Sequence, residues 1–211
     1  MMLYGGVATG GELELRRESD GGVRLSGRFP YGEPAVLSDG GRTGRPQKEI
    51  IASRAFAYRV EDPKEDIHLL VGHSFDAPLA SKGTGTLQFT DRDDALTFRA
   101  LITRQIAETT HGRDVLALIG AGLAVGISPG FRIPPKRAVA EAETVEDEPD
   151  RPDQGMHRAI IRTVRAALLY EVSVVTRPAY PKAQIEARDW GVTDKLSATD
   201  GLHRTLSRWR V

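Results

Sequence analysis

Short runs in which apolar and polar residues alternate recur along this chain, and they constrain its fold more than any other feature. In residues 23–31, apolar residues and glycine occupy every second position and mostly polar residues the positions between. The runs 83–90 and 95–101 alternate in the same way and are joined by the acidic turn 91–94. A period of two is typical of strands with one buried face, and two such runs around a short turn predict a β-hairpin.

Other stretches add strands and a few short helices. The β-prone run 168–176 ends just before an Arg-Pro pair. Asp114 is placed to cap a helix over 115–123. The remaining predicted elements are a strand leading into a short helix at 49–58, a short helix at 103–110, and a strand or short helix at 156–167.

Size and composition predict one domain with irregular ends. With 211 residues, 40% of them hydrophobic, the chain can bury one core. We expect a loosely ordered N-terminal arm over 1–21, a folded domain over 22–187, and a tail or short helix over 188–211. Lys plus Arg and Asp plus Glu each number 29, so the formal charge is zero. This balance disfavours nucleic acid and anionic membranes as partners.

Missing sequence features narrow the chemistry and the location. The chain has no cysteine, which excludes disulfides, thiolate metal sites and a cysteine nucleophile. It also has no asparagine, so an oxyanion would be held by backbone N–H groups, Arg, Gln, a hydroxyl or water. No apolar run reaches the roughly 18 residues of a membrane span, and the N-terminus lacks a basic segment followed by an apolar stretch. We therefore expect a cytosolic protein.

Ser128 is a candidate nucleophile because it lies between two glycines at the end of a long apolar run. Gly126 and Gly130 have no side chains, so a substrate or another backbone segment can approach Ser128 closely. The same Ser-Pro-Gly composition is also common in turns, which leaves a purely structural interpretation open.

His73 is a candidate general base. Strand alternation over 66–73 places His73 in phase with Leu69 and Val71, and it places His68 on the opposite face. The two histidines are therefore expected to point in opposite directions, with the His73 ring at the rim of the core. A histidine with only a structural role at the core edge is the alternative.

Glu171 is the charged residue that stands out in the β-prone run 168–176. Burying an ionised carboxylate without partners is costly, so Glu171 needs a cation or a hydrogen-bond donor. It would accept a hydrogen bond from His73 and stabilise the imidazolium formed when His73 takes a proton from Ser128. An exposed position on an edge strand, on a face shared with Leu169 and Ser173, is the alternative.

Two further stretches suggest other chemistry. Residues 115–126 resemble a strand entering a dinucleotide-binding turn, but the glycines are spaced GxGxxxG, and Pro129 and the prolines at 134–135 interrupt the helix that such a turn needs. The acidic stretch 141–153 lacks the ordered spacing of a calcium loop, so we expect a solvated loop there and not a metal site.

Three sequence blocks together resemble the signature of the prohead proteases of tailed bacteriophages, of the Hong Kong ninety-seven phage type. Their order and spacing match that family over about residues 23–187, and the combination is far more specific than any single block. The blocks are LLVGHSFD at 69–76 with PL at 78–79, GISPGF at 126–131, and YEVSVV at 170–175 with PAY at 178–180.

The resemblance implies a site and a fold. By similarity, His73 is the general base, Ser128 the nucleophile and Glu171 the third member of a triad. The family is related in fold to the herpesvirus assemblins, which implies a mostly antiparallel β-barrel flanked by a few helices. The residue after the serine is usually aliphatic in this family, whereas here it is Pro129. Proline has no N–H, so Pro129 cannot donate to an oxyanion. Arg132 and Arg177 are alternative donors.

The function implied is a serine endopeptidase of phage or prophage origin that processes scaffold and major capsid protein segments. It would work in the host cytoplasm inside the assembling prohead, with self-association as a further expectation and with no metal or cofactor. A catalytically silent β-barrel that assembles with capsid protein as a scaffold component is the alternative from another class, and a nucleotide-binding protein is a third. The sequence after Ala187 carries sparse apolar residues that could form one helix face, either as a docking handle or self-cleavage segment, or packed on the barrel.

Overall fold

Strands dominate the fold, as the alternating sequence pattern predicts. The computed structural model describes residues 4–5, 14–19, 21–42, 44–124, 126–151, 153, 156–176 and 178. Within them lie fifteen strands and three short helices. The mostly β character of the prediction is therefore confirmed.

The elements follow one another along the chain with short connections. The strands are β1 Tyr4–Gly5, β2 Glu14–Arg17, β3 Val23–Pro30, β4 Pro34–Ser38, β5 Gln47–Ile51, β6 His68–Val71, β7 Ser74–Ser81, β8 Leu87–Asp91, β9 Ala95–Ile102, β10 Gly126–Arg132, β11 Glu143–Asp147, β12 Asp150–Arg151, β13 Met156–His157, β14 Ile160–Val164 and β15 Leu168–Val175. The helices are α1 Ala57–Glu61, α2 Arg104–Ala107 and α3 Thr110–Gly120.

A five-stranded antiparallel sheet, in the order β1-β2-β3-β9-β8, contains the elements that the sequence predicts best. In β3, alternate residues beginning at Val23 are buried, as expected for a strand with one face on the core. The predicted hairpin is formed by β8 and β9, with Phe89 paired to Phe98. Residues 14–17, from the expected N-terminal arm, form β2 and pair with β3.

A four-stranded sheet in the order β10-β15-β6-β7 carries the candidate site residues. Its β15 is a central strand that pairs antiparallel with β10 and parallel with β6. The segment from Ser74 to Pro78 has the Ser, Asp and Pro residues typical of a turn, yet it is the first part of β7. Pro78 is tolerated there because β7 is an edge strand of this sheet, where a missing N–H costs no ladder bond.

A second four-stranded sheet, β11-β14-β5-β4, corrects the prediction of a solvated acidic loop. About half of the stretch 141–153 belongs to β11 and β12, and β11 pairs with β14 in continuous register. Glu148 is buried and forms an ion pair with Lys48 at 2.5 Å. The loop was therefore predicted wrongly, whereas the expected solvent exposure holds for most residues of β11 and β12. Composition does not show that carboxylates of this stretch have cationic partners on neighbouring strands.

One hydrophobic core joins the five-stranded sheet, the site sheet and the helices. Aromatic rings connect these parts, since Phe56 lies 6.0 Å from Phe29 and 5.6 Å from Phe131 between ring centroids. The strand pairing does not close a barrel within the described residues, and two strand pairs, β15 with β6 and β14 with β5, are parallel. The antiparallel barrel that the resemblance implies is therefore not seen in this part of the chain.

The helices begin and end differently from the prediction. Thr109 caps α3, its hydroxyl accepting a hydrogen bond from the N–H of Gly112, whereas Asp114 lies inside the helix. Because 110–120 is helical, a strand entering a dinucleotide-binding turn at 115 is excluded. None of the helices in the described residues is long and apolar enough to cross a membrane. The tail 188–211 lies outside the described residues.

Candidate active site

The register of the site sheet places Ser128 and Glu171 on one face. Ser128 in β10 is the direct partner of Ser173 in β15, and Gly130 is the partner of Glu171. Directly paired residues of an antiparallel ladder point to the same side and lie close together. The nucleophile candidate and the acid candidate are therefore on neighbouring strands, one pleat apart.

A β-bulge at Tyr170 explains how a carboxylate fits into this apolar strand. Gly130 pairs with Glu171 but the next residue, Phe131, pairs with Leu169, so Tyr170 is an extra residue in β15. The extra residue changes the phase of alternation between Leu169 and Glu171. Leu169 therefore lies in the core, while Glu171 points to the side of Ser128. The expected shared face of Leu169 and Glu171 is wrong for this reason.

Glu171 is not on an edge strand, which removes the structural alternative considered for it. Its residue is 4% exposed, and β15 has β10 on one side and β6 on the other. A carboxylate in this position needs partners in the protein because water reaches it poorly.

His73 reaches Glu171 from a tight turn between β6 and β7. Val71 pairs with Ser74, so Gly72 and His73 are the two central residues of a hairpin, with φ angles of 57° and 64°. Two positive φ angles in a two-residue hairpin indicate a type I′ turn, which glycine accepts and other residues rarely do. The strand ends at Val71, so the alternation that predicted opposite directions for His68 and His73 stops before His73.

The hydrogen bonds around Glu171 use both of its oxygens. His73 Nδ1 lies 2.7 Å from Oε1, and Ser173 donates its hydroxyl to Oε2 at 2.6 Å. The backbone N–H of His73 donates to the Ser173 hydroxyl oxygen at 2.9 Å. Each carboxylate oxygen thus has a partner, and the carboxylate holds the imidazole through one ring nitrogen.

Gly130 provides the space that the Glu171 carboxylate occupies. A Cβ atom at this position would overlap the carboxylate of Glu171. The sequence singles out Gly130 for close approach of a substrate or backbone, whereas the structure shows a close approach by the acid of the site. Periodicity alone could not identify this role, because it depends on the partner strand.

Ser128 is accessible to a limited degree. The residue is 8% exposed, and no hydrogen bond joins Ser128 to His73 within the described part of the chain. β10 is an edge strand of its sheet, which explains why Pro129 is tolerated next to Ser128. The structure therefore brings His73 and Glu171 into contact and places Ser128 on the adjacent strand.

The two arginines considered as oxyanion donors differ in what can be said of them. Arg132 lies in β10, and its guanidinium is 5.4 Å from the centroid of the Tyr170 ring. Arg59 lies over the same ring at 4.1 Å. Arg177 lies outside the described residues.

His68 has surroundings of its own beside the site. It is the register partner of Glu171, its ring packs edge-on against Phe75 at 5.8 Å between centroids, and Nε2 lies 3.6 Å from the carboxylate of Asp66. Among the described residues, no group of three or more His, Asp or Glu side chains is arranged to hold a metal ion.

Comparison with known proteins gives one match. A family model described as caudovirus prohead serine protease matches residues 37–196, well over half of the chain. No curated protein and no solved structure matches.

Proposed function

The chain belongs to the caudovirus prohead serine protease family, and on that premise we propose that it is a serine endopeptidase acting through Ser128, His73 and Glu171. Its substrates would be segments of the scaffold and the major capsid protein in the immature head. The observation that carries the residue assignment is the 2.7 Å contact between His73 Nδ1 and the buried Glu171 carboxylate. A carboxylate in this position fixes which ring nitrogen carries the proton.

His73 has the properties of a general base in this arrangement. Because Oε1 of Glu171 accepts the Nδ1–H proton, the lone pair lies on Nε2, away from the carboxylate. The His73 side chain is 47% exposed and that of Glu171 is 5% exposed. The ring is therefore open to substrate on one side and held by a desolvated anion on the other.

The proposed reaction is acyl transfer in two stages. The Ser128 hydroxyl oxygen attacks the scissile carbonyl carbon while its proton passes to Nε2 of His73. The tetrahedral intermediate then expels the amine, which takes that proton, and leaves an ester on Ser128. Water attacks the ester, again losing a proton to His73, and the carboxylic acid product leaves as the proton returns to Ser128. In this scheme Glu171 stabilises the imidazolium and transfers no proton.

The tetrahedral oxyanion would be stabilised by backbone N–H groups or by an arginine. Pro129 contributes none, because proline has no N–H. Arg132 lies on the same strand as Ser128, and both it and Arg177 remain candidates beside backbone N–H groups. Formation of a hydrogen bond between His73 and Ser128 on substrate binding would complete the site, since catalytic hydrogen bonds are often long without substrate.

Wider features of the proposal follow from the three sequence blocks. They support a relationship to the prohead proteases of the Hong Kong ninety-seven type and, with it, an assemblin-like β-barrel fold. They also support action inside the assembling prohead in the host cytoplasm, with self-association as a further feature.

Co-expression with the major capsid protein of the same phage or prophage tests the proposed function. We expect mass spectrometry to find new capsid-protein termini with the wild-type chain and none with Ser128→Ala. Unchanged processing by Ser128→Ala would reject the assignment of the nucleophile. If the capsid protein stays intact with the wild type as well as with Ser128→Ala, but this protein still assembles with it, the silent scaffold component would be favoured.

A further inference from the structure

Ser173 is a fully buried polar side chain of the site, with 0% of the residue exposed. We propose that Ser173 is a positioning residue that holds both the Glu171 carboxylate and the His73 backbone in their working arrangement. This inference rests on the proposed function, since it concerns the same triad. It adds a fourth side chain that transfers no proton and touches no substrate.

The hydroxyl of Ser173 connects two parts of the site that are far apart in sequence. It donates to Glu171 Oε2 at 2.6 Å and accepts from the His73 N–H at 2.9 Å. One link therefore orients the acid and the other orients the turn that carries the base. Hydrogen bonds to a charged group are stronger than neutral ones, so the link to the carboxylate is the firmer of the two.

The donation to Oε2 determines which oxygen is left for the histidine. With Oε2 occupied by Ser173, Oε1 is directed to His73 Nδ1 at 2.7 Å. Gly130 borders the carboxylate on the other strand, so the group has little room to rotate. Loss of the Ser173 hydroxyl would leave Oε2 without this donor in a buried place, so that nothing on that side would hold the carboxylate in line with His73 Nδ1.

The acceptance from the His73 N–H acts on a strained turn. His73 has a positive φ angle, 64°, which a residue with a side chain adopts at a cost. Besides strand pairing, the turn is held by the Gly72 N–H bond to the Val174 carbonyl at 3.1 Å and by the bond to Ser173. Both anchors lie on β15, so the base is held by the same strand that carries the acid.

The test compares Ser173→Ala with Ser81→Ala in the full-length protein. Ser81 is a matched control, because it is also buried in the site sheet and its hydroxyl also makes two hydrogen bonds. The Ser81 hydroxyl donates to the Thr84 hydroxyl and accepts from the Thr84 N–H. We expect Ser173→Ala to lower kcat by roughly 10- to 100-fold, by analogy with the loss of a group that hydrogen-bonds to a metal-binding histidine or carboxylate. KM should change by less than about twofold, because ground-state binding is untouched. Ser81→Ala should keep the wild-type kcat.

A second readout does not depend on catalysis. In the wild-type protein, proton NMR should show a slowly exchanging, downfield Nδ1–H signal from His73, since that proton is shared with a buried carboxylate. The signal should be lost or moved in Ser173→Ala and kept in Ser81→Ala. Ser173→Thr keeps the hydroxyl and should restore part of the signal and of the activity. If Ser173→Ala does not fold, Ser173→Cys takes its place in the comparison.

The outcomes separate this inference from the proposed function. Wild-type kcat in Ser173→Ala, or a lower kcat with an unchanged His73 signal, would overturn the positioning role. A protein without any peptidase activity, whose His73 signal nevertheless depends on Ser173, would retain the structural link and reject the proposed function instead.

Discussion

Glu171 is a charged residue at 4% exposure, and its neighbours make that burial tolerable. Ser173 and His73 each take one oxygen, and Gly130 leaves the space. The penalty for burying a carboxylate is thereby offset by charge-assisted hydrogen bonds. The same contacts make the carboxylate a fixed partner for a histidine that faces solvent.

The first prediction concerns the three proposed triad residues and His68. We expect Ser128→Ala and His73→Ala to lower kcat by about 10⁶-fold and Glu171→Gln by about 10⁴-fold, because the acid orients and stabilises but transfers no proton. His68→Ala is the control, since His68 lies beside the site but contacts Phe75 and Asp66. Rates of capsid-segment cleavage measure all four. A larger loss at His68 than at His73 would reassign the base.

The second prediction concerns Gly130. Gly130→Ala would push the Glu171 carboxylate away from its place, so we expect a stability loss of about 1–3 kcal/mol together with a large loss of activity. Gly120→Ala is the matched control, because a Cβ there meets no atom within 4 Å. In helix α3 that change should stabilise by about 0.5–1 kcal/mol and leave activity unchanged. Thermal unfolding and cleavage rates are measured on the same samples. Wild-type stability and activity in Gly130→Ala would contradict the prediction.

At the scale of elements, the hairpin of β6 and β7 determines where His73, the proposed base, lies. The third prediction compares Gly72→Ala with Gly32→Ala, since both glycines have positive φ and a Cβ added at either would meet no atom within 4 Å. Both changes should cost about 1 kcal/mol of stability, from the left-handed backbone alone. Only Gly72→Ala should reduce kcat, because Gly72 adjoins His73 and Gly32 does not. Equal activities in two equally destabilised proteins would mean that the turn does not position the base.

The sequence predicts best those strands in which apolar and polar residues alternate without interruption. Alternation identifies β3 and the β8–β9 hairpin with errors of a few residues at the ends. It fails at His73 and at Glu171, because a turn ends the strand before the first and a bulge changes the phase before the second. Both irregularities are properties of strand pairing, which a single strand's pattern does not contain. The sequence could therefore nominate three candidate site residues but could not give the directions of His73 and Glu171.

At the scale of the whole molecule, Lys48 and Glu148 join the acidic stretch to the sheet of β5 and β14. Burial alone would raise the pKa of Glu148, but the Lys48 ammonium group and the N–H groups of His157 and Ala159 outweigh it and hold that pKa below its ordinary value. A lowered pKa means that this contribution to stability is complete above the unfolded-state pKa of about 4.3 and is lost as the pH falls below it.

The fourth prediction follows from that sign. Glu148→Gln should lower the free energy of unfolding at pH 7 by about 1–3 kcal/mol, because Lys48 loses its charged partner in a poorly solvated place. Between about pH 5 and 3 the variant should lose less stability than the wild type. Burial raises the pKa of Asp91, so the effect of Asp91 on the pH dependence of stability has the opposite sign. This effect is the same in the wild type and the variant, and it cancels when their stabilities are subtracted. Glu141→Gln, on an exposed side chain of the same stretch, is the control. Urea unfolding would measure the free energy of unfolding of both proteins at about pH 7 and about pH 3. The same difference between wild type and Glu148→Gln at the two pH values would contradict the role of this pair.

The assignment of Ser128 as the nucleophile is tested most directly by the site at which a serine-directed fluorophosphonate attacks the folded, full-length protein. We predict one adduct by intact-mass analysis, located by peptide mapping on Ser128, absent from Ser128→Ala and strongly reduced in His73→Ala. Ser173, in contact with the acid but fully buried, should carry none. The absence of any adduct on the wild type, or its persistence in Ser128→Ala, would contradict the claim that Ser128 is the nucleophile.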